Sequence, residues 1–553
     1  VTAKKPGKKP QPSQKKGKKA PVPLKKSTGG SVLKNIFRWK KLYHFIEYDP
    51  DKHGSLVDVT IPDGFNKVDE YWIEDGRSLV YIVNNQKENV LELSLYEPAM
   101  TEFEYELLER IFADMRDILI LSDDDLQKDR KRLLYEKMFS LLDEYGIIIS
   151  QKTLFKLQYF LIRNFLGWGR LDAFMKDENL EDISCDGHLI PLFLYHRKYR
   201  NIKTNVIFDE ETLNKLAITL AQRSGKHIST GSPIIDATLP GGSRLQLTFG
   251  SEVTTRGSSF TIRKFMSDPM SPIDLLNFGT FSIDELVYFW ISIENNKSLL
   301  FIGGTASGKT TSLNAVSLFI PPMSKIVSIE DTREITLYHE NWIASLSRES
   351  VIETGVKISM FDLLKAAMRQ RPEYIIVGEV RGVEANTLFQ AMNTGHTTFS
   401  TMHAGSVDAA IHRLESEPLN VPRNMLQALN IMSIQAQVFE GHTRMRRSLE
   451  IVEIAGIDPA RGNVMVNTVF EWDPIKDFFT YTGRSKVYAE IMTHRGWSKE
   501  QMDAEIAARK SVIEALVAQD VHHYIEVSRI FHFYYIDPQI VLSNIGDLRS
   551  VLK

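Results

Sequence analysis

The segment that most restricts how this chain can fold spans residues 298–310. An apolar run, Ser298-Leu299-Leu300-Phe301-Ile302, enters Gly303-Gly304-Thr305-Ala306-Ser307-Gly308-Lys309-Thr310, and Leu313, Val316 and Ile320 follow at helical spacing. A buried strand that turns through glycines directly into a helix is how a parallel α/β sheet begins, because parallel strands need a crossover helix between them. The same alternation returns further on. Runs 326–329 and 374–377 read as buried strands, and 362–370 reads as a helix that ends before Pro372.

The turn itself satisfies G-x-x-x-x-G-K-[ST]. Its glycines let backbone N–H groups wrap closely around a polyphosphate, and the following helix offers its positive end to the same anion. Gly303, Gly304, Thr305, Ala306, Ser307, Gly308, Lys309, Thr310 and Thr311 are therefore the candidate nucleotide contacts. Lys309 would reach the β and γ phosphates of ATP, and the Thr310 hydroxyl would sit on Mg²⁺. A glycine-rich turn that binds nothing is the competing reading, and the strand–loop–helix context argues against it.

Three polar clusters follow. Tyr374-Ile375-Ile376-Val377-Gly378-Glu379 ends an apolar strand on a carboxylate, with Gly378 where an aspartate usually stands. Glu379 there could orient or deprotonate an attacking water and help hold the water shell of Mg²⁺. Glu330-Asp331-Thr332-Arg333-Glu334 places carboxylates at another strand's C-terminal end, where α/β sheets bind ligands. With Thr310 and Glu379, Asp331 completes the candidate metal set. His396 and His403 lie in a polar stretch, 395–403, with no third ligand at a useful spacing for a metal.

Composition sets the wider limits. The 553 residues, 43% apolar and 25% charged, suit a multidomain globular protein, and the single cysteine, Cys185, excludes an intrachain disulfide or a cysteine-built zinc site. No apolar stretch is long enough for a membrane span, so a cytoplasmic location is expected. Charge is unevenly placed. Residues 1–46 hold 14 Lys and Arg and no acid, leaving 53 basic against 70 acidic residues in the remainder. Rich in Lys, Pro, Gly, Ser and Gln, residues 1–34 read as a disordered basic tail. It could be solubilising only, or it could meet an anionic membrane surface, an acidic partner or nucleic acid.

Residues 35–268 read as an N-terminal domain. Its strand and helix part runs to about 168, with strands near 55–60, 78–83 and 90–95 and helices over 101–145 and 151–166. A mixed α/β part covers 169–268. Ser267-Asp268-Pro269-Met270-Ser271-Pro272 breaks regular structure, so 269–282 is expected to be a hinge linker. Residues 283–553 follow, with an antiparallel meander beyond Met445 and a helical tail that opens on a Ser498/Gln501 capping box.

Taken together and in this order, the four blocks resemble the secretion ATPase superfamily of type II secretion, type IV pili, conjugation-type export and the archaellum. Residues 181–187 and 239–244 are similar to its N-terminal segments. Thr332 departs from the proline of the usual I-E-D-P-x-E box. The lack of a tetracysteine element and the run to Leu337, His339, Asn341 and Trp342 make the archaeal branch, especially the archaellum assembly and motor ATPase, the nearest resemblance. It implies a RecA-like P-loop ATPase core with a parallel sheet, a homo-hexamer, and force exerted on a polytopic membrane platform protein from the inner face of the membrane. The roles it carries over make Glu379 the general base or water positioner, with Glu330 and Glu334 as rivals. His403 would sense the γ-phosphate with His396 in support, and Arg244 and Arg263 would reach a nucleotide, including a neighbouring subunit's. Arg256 is a weaker candidate.

Other readings stay open. An adhesive pilus or type II secretion ATPase has the same core. A nucleic-acid translocase would want a basic channel, whereas everything after residue 46 is net acidic, so no nucleic acid is expected. A slow, nucleotide-switched scaffold would bind ATP without doing work.

Overall fold

A computed structural model describes residues 45–118, 130–265, 269–348, 357–440 and 443–552. The basic tail expected over 1–34 lies outside the described residues. Two compact units form, one from residues up to 54 and 100–167, the other from 55–99 and 168–553.

The first unit is helical. Helices Glu102–Ile118, Arg130–Tyr145 and Gln151–Phe165 pack Leu107, Ile111, Leu134, Met138, Leu142, Leu157 and Leu161 into one core. Ser150 caps the third helix at Thr153 N–H, and a buried Lys156–Glu104 pair at 3.0 Å crosses between helices.

The second unit holds two nine-stranded sheets. The first comprises β1 (Phe65–Glu74), β2 (Ser78–Asn85), β3 (Val90–Tyr96), β4 (Leu180–Cys185), β5 (Pro191–His196), β6 (Arg200–Ile207), β7 (Ile234–Thr238), β8 (Arg244–Thr248) and β9 (Ser259–Arg263). Its order is β1-β2-β3-β6-β5-β4-β9-β8-β7, antiparallel except where β3 meets β6. The expected division at about residue 168 is therefore corrected. Strands β1 to β3 join the later sheet, because β3 finds an open edge on β6, while the helices that follow them form their own core. The strand expected near 55–60 does not form; that segment pairs with no ladder.

The second sheet comprises β10 (Leu299–Gly303), β11 (Ile326–Glu330), β12 (Trp342–Leu346), β13 (Tyr374–Val377), β14 (Thr397–His403), β15 (Ile431–Glu440), β16 (Thr443–Ile457), β17 (Val464–Asp473) and β18 (Phe478–Tyr481). Its order is β12-β11-β13-β14-β10-β15-β16-β17-β18, parallel from β12 to β15 and antiparallel beyond. This is the α/β P-loop core, with the meander extending the same sheet. Side chains alternate between two cores: Leu299 and Phe301 enter one, Leu300 and Ile302 the other. Helix Ile283–Glu294 and the C-terminal helices cover the first face; Met360–Met368, Glu384–Asn393 and Val407–Glu415 cover the second.

Part of the segment 269–282, expected as a linker, is helical. Ser271 and Asp274 form a capping box, Pro272 occupies the first helical turn, and helix Pro272–Asn277 buries Ile273 and Leu275 in the second sheet's core. Proline breaks a helix interior but starts a helix well, since its missing N–H has no partner there anyway. Among the described residues no helix is long and apolar enough to cross a membrane.

Candidate functional site: a phosphate loop at the ends of parallel strands

Strand β10 delivers the loop to the C-terminal edge of its sheet. A side chain at Gly303 would collide with the Gln435 carbonyl and the Ser307 hydroxyl, so only glycine fits there. Gly308, at φ 93°, opens helix Lys309–Val316 in the left-handed region. Ser307 Oγ donates to the Gly304 carbonyl at 2.9 Å. Lys309 is buried, and its Nζ donates to the same carbonyl at 2.6 Å. Burial lowers the lysine's pKa, and the charges of Glu379 and Glu334 oppose that shift. A desolvated ammonium within a glycine loop, with carboxylates nearby, is a fitting seat for a polyphosphate. Thr310 and Thr311 stand half-buried in the first helical turn.

Glu379 follows β13 and is gripped by two cationic or polar groups. Arg381 Nη2 donates to Oε2 at 2.6 Å, and His403 Nε2 lies 3.3 Å from Oε1. Arg381 is itself placed by Glu384, whose carboxylate accepts from the Arg381 and Gly382 N–H groups, each at 2.7 Å. His403 ends β14 in register with Gly303. Its pKa is lowered, first by burial and then by Lys309, so it stays neutral at neutral pH. Arg413 donates to its carbonyl at 2.9 Å.

The acidic cluster divides by role. Glu330 is buried; Oε1 accepts from the Glu334 and Ile335 N–H groups at 2.9 Å each, and Oε2 has no partner among the described residues. Burial pushes its carboxyl up to about 7. A side chain at Gly378 would press to 3.1 Å from Glu330 Cγ, a tight fit beside that buried carboxylate. Glu334 is exposed, with its charge acting on Lys309. Asp331 accepts from Ser347 Oγ at 2.7 Å and lines one cavity with Arg381 and Glu384.

The loop, Lys309, Glu379, Glu334 and His403 thus converge. His396 does not. It precedes β14, bonds to Thr394 and the Ala391 carbonyl at 3.3 Å, and sits at the sheet's opposite edge, roughly 20 Å from His403 at the rise of a strand. Arg244 and Arg263 face each other across β8 and β9, exposed, with Asp182 opposite Arg263 on the other side. Among the described residues neither arginine bonds to the loop or to Glu379. Arg256 is exposed on a turn, its carbonyl accepting from His188 N–H.

Sequence reasoning missed Arg381, and it missed Gln437 and Arg446, which reach the loop from β15 and β16. Gln437 Nε2 and Arg446 Nε both donate to the Ala306 carbonyl, at 2.6 and 3.2 Å. Only the strand pairing could have shown it, because Gln435 lies in register with Gly303. Among the described residues no group of three or more His, Cys, Asp or Glu is arranged to hold a metal. The Thr310 hydroxyl beside the loop is the donor suited to a Mg²⁺ that arrives with phosphate.

Residues 201–455 match the family profile described as Type II/IV secretion system protein, and residues 31–99 match that described as PilB3-like, N-terminal. The uncharacterized protein MJ0900 of Methanocaldococcus jannaschii is 36% identical over 458 residues, 81% of this chain and 80% of its own. The type IV secretion system protein VirB11 of Bartonella henselae is 29% identical over 281 residues, 44% of this chain and 78% of its own. Among solved structures, the Legionella pneumophila ATPase DotB is similar at 19% identity and a TM-score of 0.39, covering 60% of this chain and 93% of that one.

Proposed function

The chain belongs to the type II/IV secretion system protein family, and from that premise we propose that it hydrolyses ATP to power assembly of a type IV pilus-like filament. The observation that carries the reading is the convergence of Lys309, Glu379, Glu334 and His403 on one phosphate loop.

In this reading Lys309 leaves the Gly304 carbonyl for the β and γ phosphates, and the loop N–H groups take the remaining oxygens. Thr310 would hold the Mg²⁺ that accompanies the nucleotide, and that ion would supply charge neutralisation at the transferring phosphate. Glu379 orients the attacking water once Arg381 releases it; Glu334, exposed beside Lys309, is the rival base, and the buried Glu330 serves as a backbone clamp. Asp331, which accepts from Ser347 Oγ, remains the third candidate for the water shell of Mg²⁺. His403, touching Glu379 and adjacent to Gly303, relays loss of the γ-phosphate into β14. Arg244 and Arg263, unbonded to the loop in one chain, complete the site when the N-terminal domain closes on a nucleotide, including a neighbour's, in a homo-hexamer working against a membrane platform protein from the cytoplasmic face. The basic tail would add attraction to anionic lipid.

The archaellum is one filament this engine could serve. The PilB3-like match over residues 31–99 favours a pilus instead. The run that suggested the archaellum serves packing: Leu337 and His339 are buried, and Trp342 Nε1 donates to Ser328 Oγ at 2.9 Å. Microscopy of the source organism carrying only Lys309→Ala separates the two. Missing adhesive fibres with normal swimming supports the pilus; lost swimming with lost rotary filaments supports the archaellum. Intact filaments of both kinds would remove the filament role.

A further inference from the structure

We propose that Gln437 and Arg446 are positioning residues for phosphate binding: from outside the loop, they hold the Ala306 carbonyl so that the next N–H faces the phosphate seat. Three observations carry this. First, Gln437 and Arg446 are a directly opposed cross-strand pair on β15 and β16, and both side chains end on one acceptor, the Ala306 oxygen, at 2.6 and 3.2 Å. Second, Ala306 stands at φ 58°, a left-handed conformation that is strained for an alanine and open to glycine. Third, the Arg446 side chain lies over Gly308, where a Cβ would come within 3.1 Å of Arg446 Cδ.

The peptide geometry links these facts to function. In a trans peptide the carbonyl of Ala306 and the N–H of Ser307 point in opposite directions. Two donors drawing the carbonyl outward therefore turn the Ser307 N–H inward, toward the space that Lys309 and the helix N-terminus surround. A loop held that way before nucleotide arrives loses less freedom on binding, which is preorganisation of the phosphate seat. Without the two donors the left-handed conformation at Ala306 loses the bonds that favour it, and the peptide is expected to relax from the binding conformation. The strand that supplies Gln437 is in register with the loop strand, so the grip is built into the sheet.

This inference rests on the nucleotide-binding reading above, and the test keeps the two apart. Affinity for MgADP is measured by calorimetry on the full chain, with MgATP turnover in parallel. Gln437→Ala with Arg446→Ala should weaken MgADP by about 10-fold or more, from two lost hydrogen bonds, and raise KM similarly, with kcat changed less than twofold. Arg446→Lys alone should keep most of the affinity. The distinguishing variant is Ala306→Gly. Added to the double mutant it should restore part of the lost affinity, because glycine enters the left-handed region freely; a merely structural loss would not be repaired by it. Double-mutant affinity within twofold of the parent, or no recovery with Ala306→Gly, would overturn the proposal while leaving the ATPase reading intact. A parent chain that binds no MgADP would overturn both.

Discussion

Every residue of β10, β11 and β13 in the second sheet is buried, whereas β8 and β9 in the first alternate buried and exposed positions. Both sheets have nine strands, yet the central parallel strands of the second are covered on both faces, whereas the largely antiparallel first sheet keeps a polar face open. That face carries Arg244, Arg263, Asp182 and a Ser184–Thr261 hydroxyl pair at 3.0 Å. A sheet covered on both sides can present chemistry only at its strand ends, and there the phosphate loop, Glu379 and His403 collect. A half-open sheet presents a surface. On the proposed function, nucleotide chemistry is expected at the strand ends of the second sheet and contact with another body at the open face of the first.

The comparison breaks most sharply at Lys309. Lys309→Ala should abolish nucleotide binding and reduce turnover to background, measured by phosphate release from MgATP. The opposite pattern is expected at the open face. Arg244→Ala and Arg263→Ala should leave MgADP affinity unchanged yet lower turnover of the assembled protein by about 10³-fold, the scale of an arginine finger. If both variants turn over normally, the open face is not part of the engine, and closure of the two domains does not drive it. Stability sharpens the same contrast. Ile302→Ala, in the doubly covered strand, should cost about 2–5 kcal/mol in urea unfolding. Phe193→Ala, 38% exposed on the open face, should cost under about 1 kcal/mol.

Much of this was legible in the sequence where local patterning decides structure. The phosphate loop, the runs at 326–329 and 374–377, the meander and the Ser498/Gln501 box all form as their periodicity predicts. What escaped depends on pairing between distant segments. Nothing local to 65–96 reveals that those strands will find β6, and nothing around Gln437 or Arg446 reveals a carbonyl 131 and 140 residues earlier in the chain. Arg381 was within sight, two residues from Glu379, but its effect on that carboxylate needs the loop geometry that Glu384 sets. His396 was misread for a simpler reason. It shares a motif with His403, but an extended strand separates its own two ends.

The last expected effect is one of sign, and it sets the two sheets against each other in pH. In the second sheet's domain, burial pushes Glu330 up to about 7 and Glu285 up to about 8, from an ordinary 4.5. Between about pH 4.5 and 8 the folded domain therefore holds protons that the unfolded chain has released, and stability falls as pH rises through that window. In the first sheet's domain, burial lowers Lys264 to about 8 from 10.5, its Nζ donating to the Phe174 carbonyl at 3.0 Å and to the Asp177 carbonyl. There the unfolded chain binds the extra proton, so stability present above pH 10.5 is lost as pH falls toward 8. Urea midpoints at pH 6, 8 and 10 should move accordingly, by about 1–2 kcal/mol per group after allowance for partial solvation. Glu330→Gln should flatten the acid-side slope and leave the alkaline one, and Lys264→Met should do the reverse. A Glu330→Gln chain that keeps the wild-type slope between pH 6 and 8 would mean that this carboxylate is ionised when folded. Glu330 would then return as a rival to Glu379 at the chemistry.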